Sequence, residues 1–219
     1  MFFDLSNYRK DYKKNSLIET EVPMNPLELF HKWFQEEKNI STNKEKYEDY
    51  NAMSLSTIGE DGGPETRIVL LKMYSEKGFI FYTNYRSIKG QAIQKRPKVG
   101  ISFYWPNTER QILIKGNVRK ISKDKSDKYF YKRPIENQIG SWASKQSRII
   151  PSKKYLLIQY KKWYFFFKKH IIKRPFDWGG YLVKPYRMEF WQGQPNRLHD
   201  RIVYSLEKKN DWSLFRLSP

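Results

Sequence analysis

The stretch RIVLLKMYSEKGFIFYTNYRSIKG (67–90) decides the fold. Its first run, 67–74, is rich in branched and aromatic side chains, turn chemistry follows at Ser75–Gly78, and a second run, FIFYTN (79–84), succeeds it. That pattern reads as two strands joined by a tight turn. Ser87 then caps a short helix that ends before Pro97, because a serine hydroxyl accepts from the first helical amides and proline disfavours helix at the residue before it. Moving outward, Met53, Leu55 and Thr57 alternate ahead of the dense turn Gly59-Glu60-Asp61-Gly62-Gly63-Pro64. VGISFYW (99–105) and RQILIKGNVRKI (110–121) follow. Five strands with short connections predict an antiparallel barrel, closed or nearly so, since closure removes exposed strand edges.

Farther out the pattern alternates between helix and strand. Residues 1–22 read as a polar, mobile arm, and 23–219 as a single domain. Asn25-Pro26 opens a helix whose apolar face is Leu29, Phe30, Trp33 and Phe34, and 39–50 reads as a charged connection. Helical patterns return at 122–132 and 152–168. In the second, Leu156, Tyr160, Trp163 and Phe167 form one stripe, suited to the core, to a subunit interface or, with its lysine flanks, to a membrane surface. Strands at 180–193, 201–206 and 211–217, with a turn at Lys209-Asn210, complete the same sheet. The expected class is therefore mainly β with peripheral helices (α+β).

Composition narrows the functions. The 219 residues carry 42 Lys+Arg against 23 Asp+Glu, for a formal net charge of +19, with three His, no Cys and 17% aromatics. Without cysteine there is no disulfide, thiolate metal site or cysteine nucleophile. The charge suits phosphates, whether on nucleic acid, anionic lipid or small ligands, and equally a lysine-rich solvated surface. The opening MFFDLSNYRKDYKK lacks the apolar run of a signal peptide, and WYFFF (163–167) is far too short to span a bilayer. A cytoplasmic protein without a membrane partner is expected.

His31, His170 and His199 have no metal-ligand spacing, so no metal is expected. Neither GxGxxG, GxxxxGK nor GxSxG occurs. Three basic constellations remain. Lys89 at a helix start, with Arg67 and Lys72 bracketing a strand, suits an anion. Trp191-Gln192-Gly193 precedes Arg197-Leu198-His199-Asp200-Arg201, where an extended backbone would put Arg197, His199 and Arg201 on one face. Tyr129 and Arg133, four apart on a helix, project to one side and can grip a phosphate.

Together these strings resemble the pyridoxamine 5'-phosphate oxidase family. The matching stretches are RIVLLK (67–72), FYTN (81–84), ERQ (109–111), RP (133–134), QIGSWASKQS (138–147), WGG (178–180), EFWQG (189–193) and RLHDR (197–201). The likeness runs from about Arg9 to the terminal RLSP (216–219). It implies a split β-barrel homodimer with two FMN sites at the subunit interface. The implied reaction oxidises pyridoxamine 5'-phosphate and pyridoxine 5'-phosphate to pyridoxal 5'-phosphate, passing a hydride from C4' to flavin N5 and the electrons on to O2, with release of H2O2. Carried over by position, Arg67, Ile68, Val69, Leu70 and Lys72 would line FMN. Tyr82, Thr83 and Lys89 would hold its ribityl-phosphate end, and Gln111, Gln146, Ser147, Trp191 and Arg201 would complete the pocket. Lys72, Tyr129, Arg133 and Asn137 would take the substrate phosphate. Arg197 and His199 would face the pyridine ring as the catalytic pair, His199 by positioning or as a base, while Arg9 and Tyr12 close over it from the arm.

The chain departs from the family pattern at three places. Ile88 stands where an arginine usually meets the FMN phosphate, which predicts weaker FMN retention. Asn137 replaces a common serine but can still donate. Arg148 follows KQS where a second serine is usual. Two other readings compete. A non-catalytic or differently specific FMN-binding split-barrel flavoprotein would need RIVLLK and KQS but not RLHDR. A nucleic-acid binder would use the charge and exposed aromatics, yet no specific binding motif is present.

Overall fold

The computed structural model describes residues 3–7, 9–42, 49–208 and 211–219. In chain order the elements are α1 (Pro26–Thr42), β1 (Ala52–Ile58), β2 (Pro64–Leu70), β3 (Met73–Ser75), β4 (Gly78–Asn84), α2 (Ile88–Lys95), β5 (Lys98–Trp105) and β6 (Arg110–Lys120). Then come α3 (Lys123–Lys132), α4 (Ile135–Ala143), α5 (Lys153–Phe167), β7 (Trp178–Gln192), a 3-10 turn (Pro195–Arg197), β8 (Asp200–Lys208) and β9 (Asp211–Arg216). The strands follow the order β2-β1-β5-β6-β7-β4-β3, with β8 joined to β7 and β9 to β8. The mainly-β class and the joining of the last three strands to the same sheet agree with the sequence pattern.

Strand β7 changes partner along its length. Trp178–Val183 pair antiparallel with β4, and Arg187–Gln192 pair antiparallel with β8. Pro185, which has no N–H to give a ladder, falls between the two registers.

The framework divides into two compact units, each discontinuous in sequence. One gathers the chain up to Ser54 with Gly100–Lys115 and Pro185–Pro219. Its core is aromatic: Phe30 meets Phe103 (5.4 Å between ring centroids), Trp33 meets Phe190 (5.2 Å), and Phe190 meets Tyr204 (5.6 Å). Buried Arg110 lies 4.4 Å over the Trp33 ring, donates from Nε to Gln192 Oε1 (2.8 Å) and pairs with Glu36, so its charge is compensated inside the core. The segment after Lys13 is tied to this unit. The Lys13 and Lys14 amides donate to Glu109 Oε2 (2.9 and 3.2 Å), the Leu17 amide donates to Asp200 Oδ2 (3.0 Å), and the Leu17 side chain is buried.

The second unit holds Leu55–Val99 and Gly116–Lys184. Phe79, Phe81, Phe130 and Val183 are fully buried there. At Gly78 the backbone has φ of 118° and a Cβ would sit 2.1 Å from the Val183 carbonyl oxygen, so only glycine fits the β3–β4 turn.

Four expectations change. The run 67–74 is two strands rather than one: Leu71 turns its side chain into the core, and the Lys72 amide bonds to the Ile80 carbonyl (2.9 Å). The segment 39–50 is not wholly a connection, because α1 continues to Thr42. Helix α4 was hidden by its shortness and by Gly140, although Gln138, Ile139 and Ala143 form its buried side. Residues 197–201 do not form one extended face, as described below. The turn expected at Lys209-Asn210 lies outside the described residues.

Candidate functional site

In the second unit, β4 leads straight into α2. The Ser87 hydroxyl accepts from the Gly90 amide (3.3 Å) and caps the helix, so the Ile88 and Lys89 amides open it without intrahelical acceptors. Lys89 is buried, and no carboxylate among the described residues lies within ion-pair distance of it. Burial first, and the Arg67 guanidinium second, hold its ammonium below the ordinary lysine range. Arg67 is already engaged, donating to Thr57 Oγ1 (2.7 Å) and the Glu65 carbonyl (2.8 Å) and pairing with the Glu65 carboxylate (3.0 Å). A buried, uncompensated cation is costly unless an anion joins it, so this arrangement fits a phosphate.

A hollow of about 490 Å³ adjoins Lys89. Of the residues singled out in the sequence, Ile68, Val69, Leu70, Lys72, Tyr82, Tyr129, Arg133, Asn137 and Gln146 line it with Lys89. Lys132, Pro134 and Trp178 also line it and had no site role assigned from the sequence. Trp178 was visible only as the first letter of WGG. Its role in the hollow is geometric: Tyr129 stacks on Tyr82 (3.8 Å, 17°), and Tyr82 stacks on Trp178 (5.4 Å, 13°). Burial, aided by Tyr129 and Tyr85, pushes the Tyr82 phenol up to about 12. These phenols therefore stay neutral donors at physiological pH.

Arg133 is held from two sides. Its guanidinium carbon lies 4.6 Å over the Trp178 ring, and one nitrogen donates to Ser141 Oγ (2.8 Å), whose hydroxyl donates to the Asn137 carbonyl (3.0 Å). Helix α3 ends at Lys132, so Arg133 leaves it in an extended conformation and is not a helical neighbour of Tyr129. Both still line the hollow. A neighbouring hollow of about 570 Å³ shares Tyr82, Arg133, Asn137, Gln146 and Trp178, and adds Thr83 and Ser141. Gln146 Oε1 accepts from the Thr83 hydroxyl and the Asn84 amide (both 3.3 Å). Ser147 is exposed with φ of 66° and lines neither hollow. Ile88, one residue before Lys89, lines a different hollow with Glu60, Lys95 and Arg96, because successive helical residues point about 100° apart.

The first unit assembles a second set. Arg9, Tyr12, Trp191, Arg197 and His199 line a hollow of about 490 Å³. Tyr12 meets Trp191 (5.6 Å, 87°) and His199 (5.7 Å, 80°) edge-on, and Trp191 lies 4.7 Å from His199. Arg201 is not among them: it pairs with Glu189 (2.7 Å) and donates to the Ser218 carbonyl (2.9 Å). Gln111 sits half-buried on β6 and does not line this hollow. The predicted extended face at 197–201 fails because Pro195–Arg197 is a tight turn, with Asn196 at φ 55° and Arg197 at φ 62°. Gln194 braces the turn by donating to the Asn15 carbonyl (2.6 Å) and Asp200 Oδ2 (2.7 Å).

His199 Nδ1 accepts from the Gln194 amide (3.1 Å), which requires the neutral ring. Burial and then Arg197 lower its pKa below the ordinary 6.5, with Asp200 opposing. Since the unfolded chain binds this proton more readily, the contribution to stability is complete above pH 6.5 and lost as pH falls through the lowered folded value. An NMR titration of the His199 ring is expected to have its midpoint below 6.5, with the Gln194 amide signal moving in step. A midpoint at or above 6.5 would contradict this geometry.

The family model described as "Pyridoxamine 5'-phosphate oxidase" matches residues 42–167, and that described as "Pyridoxine 5'-phosphate oxidase C-terminal dimerisation region" matches 178–219. A pyridoxine/pyridoxamine 5'-phosphate oxidase of Flavobacterium johnsoniae is 50% identical over 215 residues, covering 98% of this chain and 99% of its own. One of Christiangramia forsetii is 46% identical over 216 residues, covering 99% of each. Among solved structures, PhzG from Burkholderia lata, in complex with tetrahydrophenazine-1-carboxylic acid, superposes with a TM-score of 0.83 at 26% identity, covering 94% of this chain and 98% of that one. A pyridoxamine 5'-phosphate oxidase-related, FMN binding protein from Nostoc punctiforme shares the fold with a TM-score of 0.68 at 17% identity, covering 90% and 100%.

Proposed function

The chain belongs to the pyridoxamine 5'-phosphate oxidase family, and we propose that it is an FMN-dependent oxidase making pyridoxal 5'-phosphate from pyridoxamine 5'-phosphate and pyridoxine 5'-phosphate. The observation that carries this reading is the buried Lys89, without a carboxylate partner among the described residues, beside a hollow that Lys72, Lys132 and Arg133 also line. Stacked Tyr129, Tyr82 and Trp178 give that cationic hollow flat walls suited to ring ligands. FMN, when bound, supplies the two-electron acceptor and passes the electrons to O2, which leaves as H2O2.

The side chains bind and orient. Lys89 and the opening amides of α2 hold the cofactor phosphate, while Tyr82, Thr83 and Gln146 fix the chain beside it. Ile68, Val69 and Leu70 provide the strand edge against which the cofactor lies. Arg67, engaged with Thr57 and Glu65, does not line that hollow and instead ties β2 to β1. Lys72, Tyr129, Arg133 and Asn137 take the substrate phosphate. Arg197 and His199, with Tyr12 and Arg9 alongside, face the substrate ring, and neutral His199 keeps an acceptor nitrogen toward the Gln194 amide. The family resemblance also assigns Gln111, Ser147, Trp191 and Arg201 to the cofactor pocket, although none of them lines the hollow beside Lys89. A homodimer with the cofactor at the subunit interface is part of this reading, supported by the dimerisation-region match over 178–219. So is a cytoplasmic location; no described helix is long and apolar enough to cross a membrane.

The direct test is anaerobic mixing of the flavin-loaded protein with pyridoxamine 5'-phosphate. Absorbance at about 450 nm is expected to bleach and to return when air is admitted. Persistence of the oxidised spectrum under excess substrate would reject the assignment.

A further inference from the structure

Residues 137–176 contain ten Lys and Arg and no Asp or Glu. Among the described residues only Arg174 of these ten forms an ion pair, with Asp127 at 2.6 Å. Helix α5 lies inside this run. Its Leu156, Tyr160, Trp163 and Phe167 are half-buried, and Trp163 and Phe167 pack on Trp142 of α4 (4.9 and 5.8 Å). The stripe foreseen in the sequence is thus an internal contact. The opposite side is exposed and still apolar: Leu157 is 54%, Ile158 52% and Phe165 61% accessible. Ile158 and Phe165, seven residues apart, fall on one stripe, with Lys154 and Lys161 along one side and Lys162 along the other.

We infer that this outer face of α5 docks the protein on an anionic lipid bilayer, lysines drawing it to the headgroups and Ile158 and Phe165 entering the acyl boundary. A helix with apolar side chains between lysines lies in the plane of a membrane rather than across it. Charge complementarity selects the occupant. A second copy would set the lysines of one α5 against those of the other, with no Asp or Glu in either 137–176 segment to separate them, which like-charge repulsion disfavours. Nucleic acid would satisfy the lysines and find a ring face in Phe165, but it gains nothing from aliphatic Leu157 and Ile158, whereas acyl chains reward the burial of all three. The segment also lies outside the dimerisation-region match at 178–219. The docking is independent of the proposed oxidation and needs no membrane-crossing helix, of which the described residues hold none.

Flotation of the full-length, flavin-loaded protein with vesicles tests it. At about 0.1 M salt, the protein is expected to float with phosphatidylcholine vesicles containing about 30% phosphatidylglycerol, and not with phosphatidylcholine alone. Ile158→Asp with Phe165→Asp is expected to cut the partition at least about tenfold while leaving flavin content and turnover unchanged. Lys161→Glu with Lys162→Glu is expected to do the same, which covers the case in which the first variant is poorly folded. Failure to float, or flotation unaffected by both variants, would overturn the inference. So would binding to duplex DNA, lost in the same variants, in a protein that ignores the vesicles.

Discussion

Replacing Arg197 with alanine is expected to lower kcat/KM for pyridoxamine 5'-phosphate by about 10²–10³, with FMN still bound, the scale of losing one well-placed charged donor from an active site. Arg197 is exposed and occupies left-handed backbone at φ 62°, directly after Asn196 at φ 55°. A left-handed arginine costs about 1–3 kcal/mol of backbone strain, and the Gln194 bonds to Asn15 and Asp200 hold the turn in that state. Alanine bears much the same strain, so the comparison isolates the guanidinium. Arg197→Lys should recover part of the loss, because a point charge replaces the planar fork of donors. Steady-state kinetics with the flavin spectrum recorded alongside will decide. Unchanged turnover in an FMN-replete Arg197→Ala protein would remove Arg197 from the reaction.

The parts of the fold that were legible are those in which local chemistry and long-range packing agree. Ser87 caps α2 and Gly78 turns β3 into β4 because serine and glycine are locally suited to those geometries. The break after Leu70 was not legible. Every residue from Arg67 to Tyr74 suits a strand, and only the three-dimensional course turns Leu71 inward and gives the Lys72 amide to Ile80. Helix α4 is only nine residues long and carries a glycine within, so its local signal was weak and the packing of Gln138, Ile139 and Ala143 decided it.

The site divides in the same way. Most cofactor and substrate candidates came from the family resemblance, since basic residues beside strands did not by themselves distinguish a phosphate pocket from a solvated surface. The structure gathers Lys72, Lys89, Tyr129, Arg133 and Asn137 around one hollow, and Arg9, Tyr12, Trp191, Arg197 and His199 around another. Trp178 could not be read as part of the first, because stacking on Tyr82 depends on the β4–β7 register that places Asn84 opposite Trp178. Nor could the Arg197 turn be foreseen: alternation along an extended strand is the default, and two successive left-handed residues override it.

The second large effect belongs to Arg133. Truncation to alanine is expected to raise KM for the phosphorylated substrates by about 10²–10³ and to leave kcat within about threefold, because phosphate is held alike in the ground and transition states. The size follows from removing a charge-assisted fork from a partly desolvated site, about 3–4 kcal/mol. Burial already works against the Arg133 cation and lowers its pKa, with Tyr129 opposing, and a bound phosphate would repay that desolvation. Trp178 and Ser141 act through Arg133: one supports the guanidinium plane at 4.6 Å, and the other accepts from it at 2.8 Å. Trp178→Leu should therefore raise KM less, by up to about tenfold, on the scale of a single cation–π contact. Pyridoxamine lacking the phosphate makes the decisive comparison. Its turnover, measured at high concentration, should be nearly the same in the parent protein and in Arg133→Ala. If both substrates lose activity equally, Arg133 maintains the fold around Trp178 rather than gripping phosphate.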